Sequence, residues 1–246
     1  IRDQPRSRGL GDVYKRQKVD HEKRLVLSGR WEWRTWWGRR EGPIEVYVWR
    51  GHYGGRFNIR FYLPTPGASA SVGAYNLWLN RWYHITAIFS SGSWVFYVNG
   101  EVTQVGCAMG WDPVTPTTGF VIGRDCERPS RAFYGVIDDL RIYNRPLSRE
   151  EIWDNMRGLI TTRGLLLWYR FDEGGGSLVH DVSGYGHDGT IHGEPGWVQG
   201  ITEGLAPGGL AIEGNRQKCA CRPALHAHPA FPSISGYGLG DERAQG

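Results

Sequence analysis

Residues 135–152 read GVIDDLRIYNRPLSREEI, a stretch that joins a strand carrying an acidic pair to the start of a short helix. Period-2 alternation predicts a strand over residues 135–143 with Val136, Leu140 and Ile142 on one face, and that face also carries Asp138. A carboxylate among apolar neighbours is costly unless it meets a donor, a cation or a metal. Asn144, Arg145 and Pro146 then make a turn. Ser148, with Glu151 three residues later, reads as a capping box that opens a short helix near residues 148–157.

Upstream, Tyr83, Ile85, Ala87 and Phe89 alternate with Trp82, His84, Thr86 and Ile88. That pattern predicts a strand with one deeply buried face and one partly covered. His84 is expected to be a packed, hydrogen-bonded sheet residue. Residues 94–98 and 101–105 flank Asn99-Gly100, the strongest short hairpin signal, because both central positions of a type I′ turn need positive φ. Residues 119–123 (GFVIG) supply another short strand, and helical periodicity is confined to residues 149–156. An all-β, antiparallel sandwich follows.

The run from Ile137 to Ile152 meets every position of I-D-[DE]-[VL]-R-[IV]-Y-N-R-x-L-[ST]-x-E-E-I, and residues 80–105 carry a W-Y-H-[IV]-[TA] strand before a Y-V-N-G hairpin. Both resemble the laminin-G-like domains of the concanavalin A-like lectin/glucanase superfamily, over residues 25–157. The resemblance implies a jelly-roll-type sandwich. Residues 164–191 (GLLLWYRFDEGGGSLVHDVSGYGHDGTI) resemble the opening of a second such domain, with its D-x-S-G-x-G-x-[DN]-G-T turn, and residues 197–200 and 209–212 match what usually follows. The chain therefore looks like the back of one copy joined to the front of the next.

Four segments are expected: a leader at 1–24, a laminin-G-like domain lacking its opening strands at 25–160, the opening part of a second copy at 161–215, and a tail at 216–246. In the intact fold of this family the first and last strands pair, so residues 165–172 can lie beside 136–143 in one circularly permuted, composite sandwich. The alternative is two unfinished halves with open sheet edges, an aggregation hazard. Residues 1–17 lack periodicity and resemble sequencing-adapter read-through, so they are set apart from fold reasoning as a tag would be. The tail mixes Cys219, Cys221, His226 and His228 without strand or helix pattern, at a spacing unlike the usual zinc sites, and reads as frame-shifted or disordered.

With 246 residues, 36 Gly and 13 Pro, the chain is turn-rich. The net charge of +4 leaves no nucleic-acid footprint beyond a mildly basic surface, and no apolar run is long enough to span a membrane. The 12 Trp are core filling in a flat sandwich or stacking platforms for ligand rings. Cys107 and Cys126 flank the GFVIG strand, and a disulfide between them stays open.

The acidic, Gly-rich loop at 181–189 can wrap oxygen ligands around a hard cation. The family resemblance implies a structural Ca²⁺ there, with Asp181 as side-chain ligand, Gly184 and Thr190 as carbonyl ligands and Asp138 as the closing carboxylate. His187 departs from the family's usual Asn, and Asp188 is the substitute. Without metal, the same loop is an Asx-turn stabilised by Asp181 and Ser183.

Glucanases that share this sandwich carry E-x-D-x-[x]-E on one strand, and no such run occurs here. No G-x-S-x-G or H-E-x-x-H appears either. The expected role is a non-catalytic module of a larger exported protein that binds a glycan or an extracellular protein. A spacer repeat with no ligand, or an accessory domain of a hydrolase, is the alternative. Candidate ligand contacts are Trp36 and Trp37 in an aromatic and basic stretch, and Trp111, Arg124 and Asp125 at an accessible loop rim. Trp111 reads equally as a lid on the sandwich edge.

Overall fold

The computed structural model describes residues 12–13, 24–35, 38–52, 54–65, 68–79, 81–90, 93–107, 113–116, 120–125, 128, 130–193, 195–198, 210–212 and 222–223. In chain order the elements are β1 (Asp12–Val13), β2 (Arg24–Thr35), β3 (Gly38–Arg50), β4 (Arg56–Thr65), β5 (Ala68–Trp78), β6 (Ile85–Ser90), β7 (Ser93–Val98), β8 (Glu101–Cys107), β9 (Pro113–Pro116), β10 (Val121–Ile122), β11 (Gly135–Asp138), β12 (Leu140–Tyr143), α1 (Arg149–Met156), β13 (Leu165–Tyr169), β14 (Leu178–Val179), β15 (Gly189–Thr190), β16 (Gly196–Trp197), β17 (Leu210–Ile212) and β18 (Arg222–Pro223).

The architecture is an antiparallel β-sandwich with one short helix, as the sequence predicts. A six-stranded sheet runs β10-β2-β3-β4-β5 with β9 also on β2; β6-β7-β8 form a second sheet, and β1-β11-β17-β16 a third. Period-2 alternation turns Val46, Val48, Phe57, Ile59, Phe61, Val72 and Ala74 of β3 to β5 toward one core, where they meet Trp94, Phe96 and Val98 of β7. Leu167, Tyr169, Phe171, Val179 and Ile191 belong to that same core. Strand β13 pairs with β12 from Leu140↔Tyr169 to Tyr143↔Leu165. Asn99 (φ 52) and Gly100 (φ 76) form the expected tight turn between β7 and β8.

Two corrections to the sequence analysis follow from backbone and packing. The expected strand over 135–143 is broken at Asp139, whose φ of 55 lies in the left-handed region. The break shifts the alternation by one residue, so Ile137 rather than Val136 shares the core with Leu140 and Ile142. Strand β11 pairs with β1 and β17, while β12 turns to β13. The second correction concerns the face of β6 expected to be partly covered, which holds the fully buried His84 and Thr86. Helix α1 covers the adjoining layer, because Leu147, Ile152 and Met156 pack against Ile88, Tyr97 and Tyr143. Ala87, on the face expected to be deep, is exposed.

The capping box forms as predicted: the Glu151 N–H donates to Ser148 Oγ (3.2 Å) and the Ser148 N–H to Glu151 Oε2 (2.9 Å). Arg145 grips the Glu151 carboxylate bidentately at 2.7 and 2.6 Å. That hydrogen bonding holds the Glu151 carboxyl at about 2. The helix is thus locked to the turn before it.

Candidate functional site

The loop at 181–190 is organised around Asp181. Asp181 Oδ1 accepts from the Trp168 N–H and the Ser183 N–H, both at 2.9 Å, and Oδ2 accepts from Ser183 Oγ (2.8 Å) and the His187 N–H (2.9 Å). Burial pushes the Asp181 carboxyl up, but these bonds outweigh it and hold it below the usual carboxylate range. Asp188 Oδ1 in turn accepts from the Asp181 N–H at 2.8 Å. A carboxylate has roughly four lone-pair sites, and all of those on Asp181 face donors. This donor set does not fit a calcium ion, which would have to displace N–H groups aimed at the oxygens it needs. Among the described residues no group of three or more His, Cys, Asp or Glu side chains is placed to share a metal ion.

Asp138, the expected closing carboxylate, belongs to a different cluster. Burial first, then Asp139 and Asp172, push its carboxyl up to about 8. Beside it, Asp139 accepts from Trp168 Nε1 at 2.6 Å and pairs with the buried Arg141 guanidinium. The Arg141 Cζ lies 5.2 Å from the Trp168 ring centroid. This network joins β12 to β13 by side chains as well as by backbone. His84 has no hydrogen-bond partner at either ring nitrogen among the described residues, so it is packed but not hydrogen-bonded as expected. Burial, then the Arg141 charge, lowers its pKa to about 3.

The predicted ligand residues divide. Trp36, Trp37 and Trp111 lie outside the described residues, as does the Cys107–Cys126 side-chain pair. Asp125 is not at an accessible rim: it is 4% exposed, and it accepts from the Arg128 N–H (3.2 Å) and pairs with Arg131 (3.4 Å). Half-buried Arg124 offers its carbonyl to Ser28 Oγ at 3.0 Å. Residues just past Trp111, expected to belong to its loop, form strand β9, paired to β2 through Glu32↔Thr115 and Trp31↔Pro116.

A different set of residues clusters on the opposite side of the sheet, with Tyr47 and Asn58 buried and Trp49 and Arg60 half-buried. The alternation that buries Val48 and Ile59 turns Tyr47 and Trp49 of β3 and Asn58 and Arg60 of β4 to the opposite side, with Tyr47↔Arg60 and Trp49↔Asn58 in register. On β5 the ladder is irregular: Ile59 faces Ala74 but Phe57 faces Leu77, and Asn76 takes a φ of 57. Asn58 holds this bulge, since its Oδ1 accepts the Asn76 N–H at 2.9 Å, and Arg56 Nη1 donates to the Asn76 carbonyl at 3.0 Å. The bulge brings Tyr75 and Trp78, 50% and 45% exposed, onto the same outer face.

There the rings and guanidinium groups interlock. Trp49 meets Tyr47 at 5.4 Å and Tyr75 edge-on at 6.1 Å between centroids. The Arg60 Cζ sits 5.2 Å from the Trp49 ring and 5.7 Å from the Tyr75 ring, with its Nη2 hydrogen-bonded to the Tyr75 hydroxyl. Arg56 stacks on Trp78 at 3.8 Å. Glu45 is the one acidic residue among residues 45–50, 56–62 and 71–79, and it is buried. None of the expected ligand residues lies in this cluster; the signal for it in the sequence is the period-2 alternation of aromatic and basic residues in EVYVWR and RFNIRFY.

A family model described as the concanavalin A-like lectin/glucanases superfamily matches residues 15–153. No curated protein matches this chain. A crystal structure of a Bacteroides ovatus protein, provisionally described as carbohydrate binding, is similar at 17% identity and a TM-score of 0.43. The match covers 74% of this chain and spans 58% of that one.

Proposed function

Because the chain belongs to the concanavalin A-like lectin/glucanase superfamily, we propose that it is a non-catalytic recognition module of a larger exported protein, and that it binds a glycan on the outer face of β3, β4 and β5. One observation carries this: exposed Tyr75 and Trp78, with half-buried Trp49 edge-on to Tyr75, place aromatic rings on the side of the sheet opposite the core. Flat aromatic faces offer apolar area to sugar rings at little conformational cost, and neighbouring guanidinium groups supply donors to hydroxyls. Glycoside hydrolysis requires a pair of carboxyl groups across the scissile bond, whereas residues 45–50, 56–62 and 71–79 hold one acid, the buried Glu45.

The test is a glycan array probed with the chain and with W49A and Y75A variants. Binding by the parent that both variants lose, at unchanged melting temperature, supports the proposal. Undiminished binding by the variants would place the ligand elsewhere, and no binding by the parent would favour a spacer repeat.

A further inference from the structure

The outer face of β3, β4 and β5 points to a particular class of sugar. Arg56 and Arg60 have no acidic partner among the described residues: Arg56 donates to a backbone carbonyl and stacks on Trp78, and Arg60 meets Tyr75 and Trp49. The Nε of Arg60 is buried with no hydrogen-bond partner among the described residues. Both guanidinium groups are held in place by aromatic rings and backbone, so each presents a fixed positive charge beside a ring. Glu45, the acid nearest in register, faces Tyr62 in the pairing of β3 with β4 and is 8% exposed, so it offers no counter-charge at the surface.

We propose that the ligand is an anionic glycan, whose rings stack on Trp49, Tyr75 and Trp78 while its carboxylate or sulfate groups pair with Arg60 and Arg56. This rests on the glycan reading above. A neutral sugar makes use of the rings but leaves two guanidinium charges without partners. An acidic one satisfies both with charge-assisted, fork-shaped hydrogen bonds, which are stronger than neutral ones. At Arg60 one terminal nitrogen is taken by the Tyr75 hydroxyl and the Nε is buried, so an incoming anion meets the outer edge of that guanidinium.

The experiment titrates the whole chain, by tryptophan fluorescence and calorimetry, with an oligogalacturonate, its methyl ester, a heparin fragment, a neutral cello-oligosaccharide and polyglutamate. The expected result is binding of the oligogalacturonate or the heparin fragment about tenfold or more above the neutral sugars. R60Q should abolish that margin and R56Q reduce it, both read per folded molecule because Arg56 also bonds the Asn76 carbonyl at the bulge. A margin for the oligogalacturonate over its methyl ester assigns the contact to carboxylate, and binding of the heparin fragment but not the oligogalacturonate assigns it to sulfate. Equal binding of acidic and neutral sugars would overturn the inference while leaving glycan recognition intact. Binding of none of the sugars would remove both. Competition by polyglutamate as effective as by the acidic sugar would overturn the inference too, by showing a general anion surface.

Discussion

Replacing Asp138 by Asn should flatten the alkaline limb of the stability curve. Burial is the main force on this carboxyl, joined by the charges of Asp139 and Asp172 and opposed by Arg141, and together they move it from 3.8 to about 8. An acid whose folded pKa is raised keeps its proton in the folded chain after the unfolded chain has lost it. Its contribution is therefore fully present below about pH 4 and disappears as pH rises toward about 8. A shift of about four units at about 1.4 kcal/mol each sets a ceiling of roughly 5–6 kcal/mol. Partial solvent access and relaxation around Asp138 reduce this to about 2–3 kcal/mol. Asn matches the neutral carboxyl in shape and cannot ionise. Urea unfolding between about pH 5 and pH 8.5 should show the parent losing about 2–3 kcal/mol that D138N keeps, or about 5–10 °C in melting temperature for a chain of this size. Parallel pH profiles for the two proteins would refute the assignment of a buried, neutral Asp138.

His84 has the opposite sign: its folded pKa of about 3 lies below the ordinary 6.5, so the folded chain declines a proton the unfolded chain accepts, and stability falls as pH drops through that window. H84L should lose less stability than the parent between about pH 6.5 and pH 4, measured by melting temperature. D181A removes the acceptor for four donors and strands the Trp168 N–H, with an expected loss of about 2–3 kcal/mol in urea unfolding. For the parent, EDTA or millimolar CaCl₂ should move the melting temperature by less than about 1 °C, and a calcium-dependent rise would show that the donors around Asp181 give way. In G73A the new Cβ would stand 2.2 Å from the Ile59 carbonyl oxygen, so β5 must shift against β4, at about 2–4 kcal/mol and with loss of glycan binding.

Local chemistry made much of this molecule legible. The Asn99-Gly100 turn and the Ser148–Glu151 capping box each depend on residues within a few positions of one another, and both form as the sequence predicts. The Asp181 loop was legible as one of two alternatives, and the structure shows the hydrogen-bonded turn in which Ser183 and Asp181 bond each other. Asp125 illustrates the limit. Its place in a polar loop suggested exposure, but the Arg128 N–H and Arg131 close over it, and neither partner is marked as such by composition.

The sequence by itself determined the class of structure, an antiparallel sandwich closed by a capped helix, because periodicity and turn residues act over short range. Tertiary structure decided which face each pattern served. The phase of residues 135–143 turned on a single left-handed residue, Asp139, which no alternation pattern encodes. The core was completed by Leu167, Tyr169 and Phe171, far along the chain from Val48 and Ile59. The outer surface was assembled from Trp49, Arg60 and Tyr75 on three strands, and only strand register and the bulge at Asn76 bring those side chains within contact of one another. Registers and bulges reflect packing summed over the whole sheet, so they become visible only once the sheet is formed.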